Sequence, residues 1–312
     1  MRALIFTNFI LLNVFSAFGQ SVKIIDSIIV YDDIKITIDK PIISNKAKRA
    51  CIIFYALPNG NTTAMTMGKK IQAGDDWHFD IQHIQAQTAF IRASDPHTEY
   101  VVCYLENSLK SWPVWKNKHL GYKKIYIQII DSIYHAYPAK VKSVYLNGHS
   151  GGGSFIFGFL DGVENIPAYV KRISFLDSDY GYAKSFYSKF KKWLRNVKKS
   201  CLNVFAYNDS IALYNGKRIV SDTGGTWVRS HLFLNDLKND FKFNETISDS
   251  IVMYKGFRRR IQFFFKPNYN RGIYHTQQVE LNGFIHSIFC GTRFDSRGYQ
   301  YYGSRAYTKF IE

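Results

Sequence analysis

The chain has 312 residues, 46% hydrophobic and 17% aromatic, with 41 Lys and Arg against 24 acidic residues and a formal net charge of +17. That composition excludes a disordered or fibrous chain and suits one large core. The basic excess favours attraction to anionic surfaces at long range, but no nucleic-acid motif accompanies it, so no specific nucleic-acid partner is expected.

Arg2 precedes an almost continuous apolar run from Ala3 to Phe15, followed by Ser16-Ala17-Phe18-Gly19 and a polar Gln20-Ser21. This three-part pattern is that of a secretory signal peptide over residues 1–19. The run is short for a membrane span of about 20 residues, and no later segment is long and apolar enough, so a secreted or periplasmic protein is expected. Val22 to Asp39 has β-branched strand character around Asp32-Asp33, which fits an antiparallel hairpin at a sheet edge. Ala50 to Ala56 is a continuous apolar run, as in a strand buried on both faces, and Leu57-Pro58-Asn59-Gly60-Asn61 breaks it. Asp75-Asp76 offers an N-cap to a helix carrying Trp77, Ile81, Ile84, Thr88 and Ile91. Tyr100 to Leu105 reads as the next strand and Lys123 to Ala136 as the next helix. Val141 to Leu146, Arg172 to Leu176, Leu202 to Tyr207 and Ile261 to Lys266 are further strands. Helices from Ser154, around Phe186 to Val197, and from Trp227 to Phe241 lie between them. Such alternation predicts an α/β protein: a mostly parallel central sheet with an antiparallel N-terminal edge and helices on both faces.

Gly148-His149-Ser150-Gly151-Gly152 is a G-x-S-x-G match set between the strand Val144-Tyr145-Leu146 and the helix from Ser154. A serine on so sharp a strand-to-helix turn needs neighbours without side chains. The helix that starts there aims free N–H groups at a developing oxyanion. A phosphate-binding loop would instead want Lys followed by Ser or Thr.

On these residues the chain resembles the α/β-hydrolase superfamily, in particular its secreted serine hydrolases and esterases, over nearly all of residues 20–312, read as a single domain. The resemblance implies Ser150 as nucleophile, an acid after a later strand and a histidine after the last one. Asp209, after Asn203 to Tyr207, is ranked first as the acid, with Asp177 and Asp179, one strand earlier, as alternatives. His275 is ranked above His286 as the base, and His149 is expected to point away from Ser150. The oxyanion hole is expected from Gly151 and from Asn59, Gly60 or Asn61. The implied activity is cleavage of a small-molecule or polysaccharide-linked carboxylic ester, without cofactor or metal. Amide cleavage and a non-catalytic surface- or carbohydrate-binding role are the alternatives.

Cys51, Cys103, Cys201 and Cys290 are even in number, as for disulfides in an exported protein. Cys51 and Cys103 nevertheless sit within apolar runs and Cys201 heads another, so free buried thiols are the favoured reading. Trp112 and Trp115 could either wall a binding site or pin their loop to the core.

Overall fold

Alternation along the strands decides which face of the sheet each side chain serves. The computed structural model describes residues 23–31, 33–41, 49–221, 223–248 and 250–312, so the expected signal peptide lies outside the described residues. In β3 (Arg49–Ala56), Ile52, Phe54 and Ala56 join one apolar cluster, while Cys51, Ile53 and Tyr55 join the other. The pattern recurs in β12 (Ile261–Lys266), where Phe263 and Phe265 face one side and Phe264 the other.

The strands before the serine turn are β1 (Lys23–Val30), β2 (Ile34–Pro41), β3, β4 (Thr98–Asn107) and β5 (Lys142–His149). After it come β6 (Val170–Leu176), β7 (Cys201–Tyr207), β10 (Phe243–Ile247), β11 (Val252–Gly256) and β12; β8 (Leu213–Tyr214) and β9 (Lys217–Arg218) form a separate small ribbon. The main sheet runs β1-β2-β4-β3-β5-β6-β7-β12-β11-β10. The pairs from β4 through β12 are parallel, and those outside them are antiparallel.

Five helices cover one face: α3 (Trp112–Lys118), α4 (Tyr122–Ala136), α5 (Gly153–Gly162), α6 (Tyr187–Asn196) and α7 (Gly225–Lys238). The other face is covered by α2 (Ile84–Ser94), α8 (Gln277–Glu280), α9 (Gly283–Phe289) and the C-terminal segment, with α1 (Thr63–Met67) beside them. No helix among the described residues is long and apolar enough to cross a membrane.

One expectation needs correction, one is extended and one open alternative is decided. The stripe from Trp77 to Ile91 is not one helix. Asp76 caps a 3-10 turn at Trp77–Asp80, and His83 at φ +45° breaks the run before α2 begins. The sheet has a second antiparallel edge, β10 and β11, because the exposed strand β10 carries too few apolar residues to announce itself. Trp112 and Trp115 belong to α3 and are buried, which makes them core and not a binding wall. The four cysteines are free and buried.

Strand β2, next to the sheet edge, is tied to α2 through a buried ion pair. Arg92 donates to Asp39 Oδ1 at 2.8 Å and also to the carbonyls of Asp39 and Tyr100. Removing one partner strands a buried charge, which typically costs about 3–5 kcal/mol. Asp39→Ala is therefore expected to lower the unfolding free energy in urea by about that amount, and the double change Asp39→Leu with Arg92→Met should recover most of the loss.

Candidate active site

All six parallel strands point their C-terminal ends to one edge of the sheet, and the singled-out residues follow those ends. Ser150 comes directly after β5, Asp177 after β6, Asp209 two residues beyond β7, Asn59 beyond β3, and His275 in the loop between β12 and α8. Chain connections diverge at this point: β3 leads outward to β4, while β5 leads the other way to β6. In open α/β sheets that divergence opens the crevice in which ligands bind.

Ser150 begins a 3-10 turn (Ser150–Gly152) that continues into α5, and its backbone lies at φ +53°. That left-handed value is uncommon for a residue other than glycine. The surrounding glycines are required by contact. A Cβ on Gly152 would lie 2.1 Å from Ala56 O, and one on Gly153 would lie 1.6 Å from Ser178 O. The turn is thus wedged, backbone against backbone, between the ends of β3 and β6. Ser178 Oγ fastens it further by donating to Gly148 O at 2.8 Å.

His275 Nδ1 lies 2.5 Å from Asp177 Oδ2. Asp177 is fully buried, also left-handed at φ +47°, and its N–H donates to Phe205 O. Its other oxygen accepts from the Thr226 hydroxyl. Asp209, ranked first from the sequence, does not meet His275. Its oxygens accept from Thr226 N at 2.8 Å and Trp227 N at 3.2 Å, in the first turn of α7. The order of the acids is therefore reversed, because the carboxylate of Asp209 is engaged by helix N–H groups. Burial, and then the nearby charge of Asp177, push Asp209 up to about 6. Asp179 is also fully buried. It accepts from Ser230 Oγ at 2.8 Å, and burial drives its carboxyl well above the usual range.

His149 is buried and packs on His275, with ring centroids 4.5 Å apart. Its Nε2 lies 3.2 Å from His275 O, a group that only accepts, so Nε2 carries the proton and donates. Burial, and then the proximity of His275, hold His149 well below the usual imidazole range. It is a neutral brace for the His275 backbone. His286 is buried in α9 against Tyr299 and does not enter the site.

Of the expected oxyanion donors, Gly151 N–H falls in the first helical turn, where such groups lack intrahelical partners. In the facing loop, Gly60 N–H donates to Lys110 O and Asn61 N–H to Pro58 O. Asn59 N–H has no partner among the described residues. The Asn59 amide also lies over Gly151, where a Cβ would meet its Oδ1 at 2.0 Å. Gly60 and Asn61 are thus turn formers, and Asn59 with Gly151 is the pair left to receive an anion. Among the described residues the Ser150 hydroxyl makes no hydrogen bond to His275; such contacts are often loose without a ligand. No group of three or more His, Cys, Asp or Glu that could hold a metal ion occurs among the described residues.

Sequence reasoning missed two participants, His149 as a brace and Thr226 as a donor. For Thr226 the signal was Gly224-Gly225-Thr226, a glycine break directly before a helix.

No protein-family model matches the chain, and no curated protein matches it in sequence. Among solved structures, a CIB-like hydrolase from Thermoplasma acidophilum aligns at 11% identity and TM-score 0.45, over 87% of this chain and 98% of that one. Poly(aspartic acid) hydrolase-1 from Sphingomonas aligns at 10% identity and TM-score 0.46, over 87% and 99%. A siderophore hydrolase from Aspergillus nidulans aligns at 11% identity and TM-score 0.42, over 82% and 90%. The strand order and the serine turn of the chain itself are those of the α/β-hydrolase fold.

Proposed function

We propose that this chain is a serine hydrolase that cleaves carboxylic esters through a covalent acyl-enzyme, with Ser150 as nucleophile, His275 as general base and Asp177 as its orienting carboxylate. The observation that carries the reading is the 2.5 Å contact of His275 Nδ1 with Asp177, made beside the left-handed turn of Ser150. With Nδ1–H donated to Asp177, His275 Nε2 is free to accept a proton. As the Ser150 Oγ–carbon bond forms, the hydroxyl proton passes to Nε2 and the carbonyl electrons move onto oxygen. Gly151 N–H and Asn59 N–H receive that oxyanion. Collapse breaks the bond to the alkoxide, which takes the proton back from His275. Water then repeats the sequence on the acyl-enzyme and restores Ser150.

The substrate class is a small-molecule or polysaccharide-linked ester. Export is part of the proposal and is supported by the pattern over residues 1–19 alone; protein recovered from the extracellular or periplasmic fraction should begin at Gln20.

Fluorophosphonate should label the purified protein, and Ser150→Ala should abolish the labelling; an unlabelled wild type, or label retained in that variant, would leave a non-catalytic protein. His275→Ala and Asp177→Ala should each slow labelling by about 10²–10⁴-fold. Asp209→Asn should cost far less. If instead Asp209→Asn is the crippling change and Asp177→Ala is mild, the acid has been assigned to the wrong strand. The same triad serves amides, so turnover of short acyl esters should be compared with that of matched peptide amides, with the esters expected to react faster.

A further inference from the structure

Two buried carboxylates at neighbouring strand ends share one hydroxyl. Thr226, fully buried, donates its Oγ1–H to Asp177 Oδ1, and the same oxygen lies 3.3 Å from Asp209 Oδ2. Thr226 N donates to that same Asp209 oxygen. The residue before α7, Gly224, has no side chain to cap the helix, so Asp209 serves that purpose from another strand. The approach is close: a Cβ on Gly225, itself at φ +83°, would lie 2.5 Å from both Asp209 oxygens. Asp209 therefore determines where the first turn of α7 sits and hence where the Thr226 hydroxyl points.

We propose that Asp209 is a positioning residue that acts through Thr226, aiming its hydroxyl at Asp177 and so setting how firmly Asp177 holds His275. The proposal rests on the assignment of Ser150, His275 and Asp177 above. Asp177 has two oxygens and two side-chain donors, one oxygen for His275 and one for Thr226. Without the Thr226 donor, Asp177 Oδ1 would be a buried acceptor with no side-chain partner, and its charge would be less fixed in direction.

Thr226 has one proton for two carboxylates. When Asp209 is protonated, it can donate to Thr226 Oγ1 while Thr226 donates to Asp177, so the two carboxyl groups no longer compete for one proton. When Asp209 is ionised, both carboxylates draw on one hydroxyl, and Asp209 relies on the N–H groups of Thr226 and Trp227. The other ionisable groups facing Asp209 are Asp177, Asp179 and Tyr180 from the segment after β6, and Tyr207 from β7. The guanidinium groups of Arg218 and Arg271 donate to the carbonyls of Ser210 and Ile211, the two residues after Asp209.

The test uses fluorophosphonate inactivation of the full protein from pH 5 to 9, with the maximal rate separated from the probe's binding constant. Thr226→Val should lower the maximal rate by about tenfold or more, as loss of an outer partner of an oriented histidine commonly does, with probe binding little changed. Thr226→Ser restores the hydroxyl and should restore the rate. Asp209→Ala takes the acceptor away from the start of α7 and should lower the maximal rate by a similar factor, again with probe binding little changed. That loss should shrink in the Asp209→Ala, Thr226→Val double variant, since both changes act along one route. Equal rates in the Val and Ser variants would overturn the proposal, as would a maximal rate unmoved by Asp209→Ala or fully additive effects in the double variant. Those failures differ from failure of the underlying assignment, in which the wild type would not label at Ser150 at all.

Discussion

Close backbone contact at the serine turn is the constraint on which the rest of the site depends. Gly152 and Gly153 touch the carbonyls of Ala56 and Ser178 at distances no side chain could share. That contact locks the end of β5 between the ends of β3 and β6 and leaves Ser150 at φ +53°. A left-handed conformation in a residue with a Cβ costs on the order of 1–3 kcal/mol and persists only where the surroundings over-determine it. The surroundings here are two carbonyls and the Ser178 hydroxyl. The same wedge places Asn59 over Gly151, so the two unpaired N–H groups are positioned by the contact that strains the serine.

Asp177 uses a second left-handed residue to the same end. At φ +47° it ends β6 abruptly, and its carboxylate lies in contact with the loop that carries His275. The chain as a whole has a strong positive excess, yet this sheet edge collects three buried carboxylates. Among the described residues they are held by hydroxyls, helix N–H groups and an imidazole, and not by lysine or arginine. A guanidinium against Asp177 would compete for the lone pair that orients His275. Short-range neutral donors satisfy these acids without that competition, while the basic groups lie elsewhere in ion pairs such as Arg195–Asp240 and Arg259–Asp295.

Much of this was legible in the sequence. Short apolar runs gave the parallel strands because strands buried on both faces cannot afford polar alternation. The glycine pattern marked the serine turn because only glycine permits its backbone contacts. The exposed strand β10 (Phe243–Ile247) was not legible, since an edge strand with one apolar face resembles a loop in composition. The break at His83 was hidden because apolar spacing continues across it, from Trp77 to Ile91. The fit of Asn59 rather than Gly60 depends on which N–H groups the turn consumes, and residue type alone does not fix that.

The acid is the instructive case. Strand order ranks Asp209 first, and its burial and elevated proton affinity would suit a functional carboxylate. What separates it from Asp177 is competition among donors. Adjacent strands lie only about 4.8 Å apart, so carboxylates at the ends of β6 and β7 can serve nearly the same space. Asp209 faces the start of α7, whose N–H groups need an acceptor in the absence of a capping side chain. Asp177 takes only the Thr226 hydroxyl from that helix start, and its second oxygen remains open to His275. A residue's place in the chain decides only that it can reach the site. Which neighbour leaves its lone pairs free decides what it does there.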